Sequence, residues 1–171
     1  MRLFIGVKPD PGFRAALADL QDRLRLAGIT GRYLDPASLH MTLAFIGEWP
    51  EADAVPLPVP DCPVPIGLAP PGIFREAKVL WADVRPSDAL GRLAGEARRL
   101  LDEAGMPFDR KAFYPHITLV RKPVVPEGLD LSGIRVPDAR MLVRASCLFL
   151  SERGEAGMQY TVIRQSAQAP G

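Results

Sequence analysis

Histidine and cysteine are nearly absent from this chain of 171 residues, which holds two of each. Cys62 and Cys147 form no CxxC pair, and no His/Cys cluster of zinc-site spacing can be written from so few. No metal and no cofactor is therefore expected. At most one disulfide is available. Free thiols in a reducing cytoplasm are the expectation, because the apolar N-terminal stretch stops at Lys8-Pro9-Asp10, too short for a secretory signal. No run approaches the roughly 18 apolar residues of a membrane span, so no membrane partner is expected. Charge of one sign is missing too. Twenty-one basic and 20 acidic side chains leave a net +1, which excludes a protein that coats long nucleic acid and confines any such contact to an end or a loop. What the chain has in excess is proline: 18 residues, eight of them between Pro50 and Pro71.

Arg2 to Val7 is a short apolar, β-branched and aromatic run that reads as a buried strand. Asp10 then offers an N-cap with Pro11 at the first helical position, and Phe13, Leu17, Leu20, Leu24 and Ala27 recur at helical spacing until Gly28. The same grammar returns at Val79 to Val84, Pro86, Ser87 as N-cap, the apolar series Leu90 to Ala104, and Gly105. Leu3, Phe4, Val7, Pro9, Asp10, Leu24 and Gly28 match Leu80, Trp81, Val84, Pro86, Ser87, Leu101 and Gly105 at plus 77. Beyond a one-residue loss, His40, Thr42 and Leu43 match His116, Thr118 and Leu119 at plus 76, as Phe74 and Glu76 match Leu150 and Glu152. This predicts an internal duplication of strand, helix, loop, strand, strand. Between the halves, residues 50–71 cannot be helical and should form an extended strap joining an edge strand near Val64 to Leu68. Met141 to Leu150 and Met158 to Ile163 read as a hairpin, and Gln165 to Gly171 as a frayed end. The whole is one domain, 1–171, of two pseudo-symmetric lobes: about 1–49 with part of the C-terminal strands, and about 78–140. A monomer is expected.

Both histidines sit in one pattern, His40-Met41-Thr42-Leu43 and His116-Ile117-Thr118-Leu119. With four threonines in the chain, that coincidence has a chance on the order of 1 in 2,000. On a strand, side chains alternate, so His and Thr of each pattern share one face while Met41, Leu43, Ile117 and Leu119 bury on the other. Imidazole holds or releases a proton near neutrality, and a pair suits general acid and general base work. Hydroxyls suit the non-bridging oxygens of a phosphate. Without a Ser or Cys nucleophile motif or a carboxylate quartet, the economical chemistry is metal-free hydrolysis of a phosphoester, each proton transfer contributing roughly 10² to 10⁴ in rate.

These stretches, extended to His40-Met41-Thr42-Leu43-Ala44-Phe45-Ile46-Gly47 and Pro115-His116-Ile117-Thr118-Leu119-Val120-Arg121, resemble the two HxTx signatures of the 2H phosphoesterases. The likeness is nearest to the RNA 2′,3′-cyclic phosphodiesterases, also called 2′-5′ RNA ligases, and covers nearly the whole chain. It implies an α+β bilobal pseudo-two-fold fold, with two antiparallel sheets forming a central groove and helices outside. It implies hydrolysis of a terminal 2′,3′-cyclic phosphate to a 2′-phosphomonoester, with reverse 2′-5′ ligation as a side reaction. His40 becomes the proton donor and His116 the proton acceptor. Thr42, Thr118, Phe45 and Arg121 become substrate-binding, the last two flanking the terminal base. Strand parity puts Phe45 and Arg121 opposite their histidines unless each strand twists or ends first. Arg110, Lys111, Arg121 and Lys122 suggest a local basic rim suited to an RNA end.

The Pro-rich strap stands where relatives commonly continue into a charged helix, which leaves substrate length open. The partners implied are RNA 3′ ends or cyclic-phosphate nucleotides. Two alternatives stand beside RNA cyclic phosphodiesterase: a phosphodiesterase of small cyclic-phosphate nucleotides, and a non-catalytic RNA-end-binding module.

Overall fold

A computed structural model describes residues 1–171. Strand β1, Arg2–Val7, leads into helix α1, Pro11–Leu26. The Asp10 carboxylate caps this helix by accepting the Phe13 N–H at 2.7 Å, and Gly28 closes it at φ 91°, a conformation glycine takes without strain. β2 covers Thr30–Tyr33 and β3 covers Met41–Glu48. β4 runs over Val64–Phe74, β5 over Val79–Arg85, and α2 over Asp88–Glu103. Ser87 occupies the N-cap of α2 but its side chain makes no capping hydrogen bond. β6 is His116–Val124, β7 Arg140–Val143, β8 Cys147–Gly154 and β9 Gly157–Gln165.

Two antiparallel sheets result, ordered β3-β1-β8-β9 and β2-β6-β5-β4-β7. Their central ladders repeat one another. Gly6 faces Thr42, Ile5 faces Ala44 and Phe4 faces Phe45 in the first; Trp81 faces Thr118, Leu80 faces Val120 and Val79 faces Arg121 in the second. The first strands are therefore related by plus 75, two residues from the expected plus 77, a slip that strand periodicity hides because it preserves the face. Likewise Phe4 faces Phe149 where Val79 faces Phe74, so Phe74 corresponds to Phe149 and not to Leu150. Leu43 in β3 and Leu119 in β6 are both skipped, which places a bulge at the same point of both motif strands; β3 skips Ile46 as well.

One core joins the halves. Leu3 and Ile5, Met41 and Leu43, Ile117 and Leu119, and the apolar faces of both helices belong to a single cluster of 31 buried residues. At about 25 cal/mol per Å² of apolar surface, a shared core of this size binds the sheets into one unit. Inside it, Gln21 of α1 spends its amide on the Leu34 and Leu119 carbonyls at 2.8 and 3.1 Å, which ties the helix to the β6 bulge.

Four details differ from expectation. The strap contains one 3₁₀ turn, Ala52–Ala54, held by Arg164 of β9, whose guanidinium donates to the Ala52 and Val55 carbonyls. The strand that follows is internal, because β7 pairs with Val64–Gly67 and β5 with Gly67–Phe74. Pro70 and Pro71 fall at the register shift beyond the β7 contact, where missing donors cost no ladder bond. Met141 to Leu150 is two strands in different sheets, with the chain crossing at Arg144 to Ser146, so only β8 and β9 form the hairpin. The C-terminal residues are tied down: Ser166 and Ala169 donate backbone N–H groups to Ser146 and Arg144, and Ala169 is buried.

Candidate active site

Each catalytic-candidate imidazole is oriented by the backbone two residues before it. His40 Nδ1 lies 2.8 Å from the Ser38 carbonyl and His116 Nδ1 lies 2.6 Å from the Tyr114 carbonyl. A carbonyl only accepts, so Nδ1 carries the hydrogen in both rings and Nε2 is left for chemistry. His40 precedes β3 directly and is packed by Phe4 at 4.6 Å, Tyr160 at 4.6 Å and Phe149 at 5.4 Å between ring centroids. His116 opens β6 and meets Phe74 at 5.0 Å and Trp81 at 6.0 Å.

Burial pushes the His40 imidazole down to about 4, the positive charges of Arg121 and His116 act the same way, and the Ser38 hydrogen bond opposes them. Burial also holds His116 below its ordinary value, against the Tyr114 hydrogen bond and the Asp83 carboxylate, which raise it. The two imidazoles thus lie close enough to sense each other, and both are neutral at pH 7 in the free protein.

Thr42 and Thr118 are half-buried on the His faces, and Met41, Leu43, Ile117 and Leu119 are buried on the others, as alternation requires. The bulges then settle the parity of the fifth residue. Skipping Leu43 and Leu119 sends Ala44 and Val120 to the core, with 1% and 0% of their surfaces exposed, and returns Phe45 and Arg121 to the His face. Arg121 donates to the Tyr160 hydroxyl at 2.9 Å, linking β6 to β9 and hence one sheet to the other. Phe45 packs against the group of Phe4, Cys147 and Phe149, with the Arg2 guanidinium 4.9 Å over its ring.

The basic rim is dispersed. Arg110 pairs with Asp102 at 2.7 Å and stacks on Phe108, Lys122 sits beside Lys78, and only Arg121 reaches the groove. Counting along strands also misses the aromatic walls around the imidazoles and the Ser38 and Tyr114 carbonyls. The latter pair carried a signal, since residues 38 and 114 share the plus-76 offset of the histidines.

Paired imidazoles and paired hydroxyls on facing strands define a phosphoesterase of the 2H type. A family model described as LigT-like phosphoesterase matches residues 7–59. A Thermus thermophilus protein named RNA 2′,3′-cyclic phosphodiesterase is 30% identical over 100% of this chain and 97% of its own length. A namesake from Archaeoglobus fulgidus is 30% identical over 77% and 78%. Among solved structures, one of a Thermus thermophilus protein aligns with TM-score 0.73 at 30% identity over 96% of both chains. Apo LigT of Escherichia coli aligns with TM-score 0.76 at 22% identity over 99% of this chain and 98% of that one. The chain belongs to the LigT-like phosphoesterase family.

Proposed function

We infer that this chain hydrolyses the 2′,3′-cyclic phosphate at an RNA 3′ end to a 2′-phosphomonoester, with His40 and His116 as the proton-transfer pair. As a family member it is an RNA 2′,3′-cyclic phosphodiesterase, a hydrolase. In this reading His116 Nε2 takes a proton from water, the water oxygen bonds to phosphorus, the bond from phosphorus to O3′ breaks, and His40 Nε2 returns a proton to O3′. Thr42 and Thr118 donate to the non-bridging oxygens; neither hydroxyl is engaged within the protein. Because free His40 is neutral, it takes up its proton as the phosphate anion arrives, an opposite charge that favours the imidazolium.

The single observation that carries the reading is the pair of imidazoles whose Nδ1 atoms are each held by a backbone carbonyl, which leaves both Nε2 atoms unengaged. One observation favours exchanged roles: Asp83 stands by His116, not His40, and favours a charged His116. The test is the product and the pH profile. A cyclic-phosphate-ended oligonucleotide should give a 2′-phosphate in excess EDTA. His40→Ala should remove the alkaline limb of kcat/KM and His116→Ala the acid limb. Reversal of those limbs establishes exchanged roles, and activity lost to the chelator refutes the metal-free mechanism.

No helix is long and apolar enough to cross a membrane. We place the enzyme in the cytoplasm, a reading supported by two free cysteines, Cys62 and Cys147.

A further inference from the structure

Beside His40, a cavity of about 490 Å³ opens between the loop at residues 35–39 and the β8–β9 hairpin. Its volume falls within the about 300–1,000 Å³ usual for small-molecule sites. Ser38, Phe149 and Tyr160 belong both to its wall and to the surroundings of His40, so the cavity continues the groove past the first imidazole. Three cations stand on that wall: Lys8 just after β1, Arg32 on β2 and Arg121 on β6.

Arg32 and Arg121 face each other directly in the β2–β6 ladder, so their side chains rise from one face. Like charges in that position destabilise a sheet unless an anion lies between them. No ion pair in the protein involves Lys8, Arg32 or Arg121. The carboxylate on the same wall, Asp35, accepts the Ala37 N–H and caps its own turn. Three uncompensated cations exceed what one phosphate between two imidazoles and two hydroxyls requires. The remaining wall, with Tyr33, Met158 and Tyr160, is apolar enough to hold the nucleoside that would join two phosphates.

We propose that this cavity is a second phosphate site, which takes the phosphate on the 5′ side of the nucleotide whose cyclic end lies between His40 and His116, with Lys8, Arg32 and Arg121 as its cationic wall. The proposal rests on the cyclic phosphodiesterase reading and adds a substrate preference: a terminal nucleotide carrying a further phosphate. That phosphate comes either from the next internucleotide linkage of RNA or from the 5′-phosphate of a mononucleotide.

The experiment compares three substrates: cytidine 2′,3′-cyclic phosphate, its 5′-phosphorylated form, and a dinucleotide with a 5′-hydroxyl and a 2′,3′-cyclic end. The wild type is expected to show a KM roughly tenfold lower for at least one of the two phosphate-bearing substrates, as a charge-assisted contact would give. Arg32→Gln and Lys8→Gln should bring that ratio near unity and weaken its salt dependence. Preference for the dinucleotide alone identifies the RNA linkage as the source; preference for both identifies any 5′ phosphate. A second readout, calorimetric binding of adenosine 2′,5′-bisphosphate against adenosine 2′-phosphate, needs no turnover. A bisphosphate preference erased by Arg32→Gln, with no cyclic phosphate hydrolysed, refutes the phosphodiesterase reading and upholds the second site. A wild type indifferent to the extra phosphate, or variants that keep the full ratio, overturn the proposal.

Discussion

Replacing His40 by Gln removes an imidazole that folding keeps neutral, and the effect should surface as a loss of acid sensitivity. In the unfolded chain His40 titrates near 6.5; in the folded protein burial holds it at about 4. Between those values the unfolded state binds a proton that the folded state refuses, so stability falls as pH falls through this window. At 1.36 kcal/mol per pH unit the penalty reaches about 3 kcal/mol below pH 4, stands at about 2 to 3 kcal/mol at pH 4.5, and vanishes above pH 7. Urea unfolding followed by far-ultraviolet circular dichroism at pH 7.5 and 4.5 measures it, wild type against His40→Gln. Carboxylate effects are common to both proteins and cancel in the difference. The variant should therefore gain about 2 to 3 kcal/mol relative to wild type on going from pH 7.5 to 4.5. An unchanged difference between the two pH values would show that folded His40 titrates normally and that the aromatic enclosure does not exclude its charged form.

Gln21→Leu should cost about 1 to 3 kcal/mol, read as a lowered urea midpoint, because two buried amide hydrogen bonds to carbonyls are lost. Gly6→Ala places a Cβ 2.5 Å from the Met41 carbonyl oxygen and should destabilise by about 1 to 3 kcal/mol while lowering kcat, since the residue it displaces is bonded directly to His40; thermal melts and initial rates check both. Asp83→Asn removes a charge that raises the His116 imidazole, so the limb of the kcat/KM profile that His116 governs should move to lower pH.

The elements were legible where local chemistry decides them. Asp10, Pro11 and Gly28 bound α1, Gly105 ends the second helix pattern, and alternation about His40 and His116 names the buried residues correctly. The motif pair was legible because both halves retain it. The bulges were not, since Leu43 and Leu119 are ordinary strand residues and a skipped ladder position depends on the partner strand. For that reason the parity of Phe45 and Arg121 could be posed but not resolved by counting. The crossing at Arg144 to Ser146 was hidden for a related reason: Arg144-Ala145-Ser146 holds no Gly or Pro to break the β-rich sequence on either side, and only pairing with Val64–Gly67 assigns Arg140–Val143 to the other sheet. Lys8 and Arg32 went unnoticed because their grouping is made by the β2–β6 ladder and the C-terminal hairpin, contacts distant in sequence.

The return of β8 and β9 to the first sheet has a consequence for how the molecule is made. His40 is synthesised early, yet two of the rings that enclose it, Phe149 and Tyr160, come from the final two strands. Tyr160 also supplies the hydroxyl that holds Arg121. During translation the histidine motifs and both helices emerge while β1 still lacks its β8 neighbour. A growing chain therefore carries the His116 imidazole with its Phe74 and Trp81 neighbours already made, while the His40 imidazole stays open on the side that Phe149 and Tyr160 close, until β8 and β9 join the first sheet.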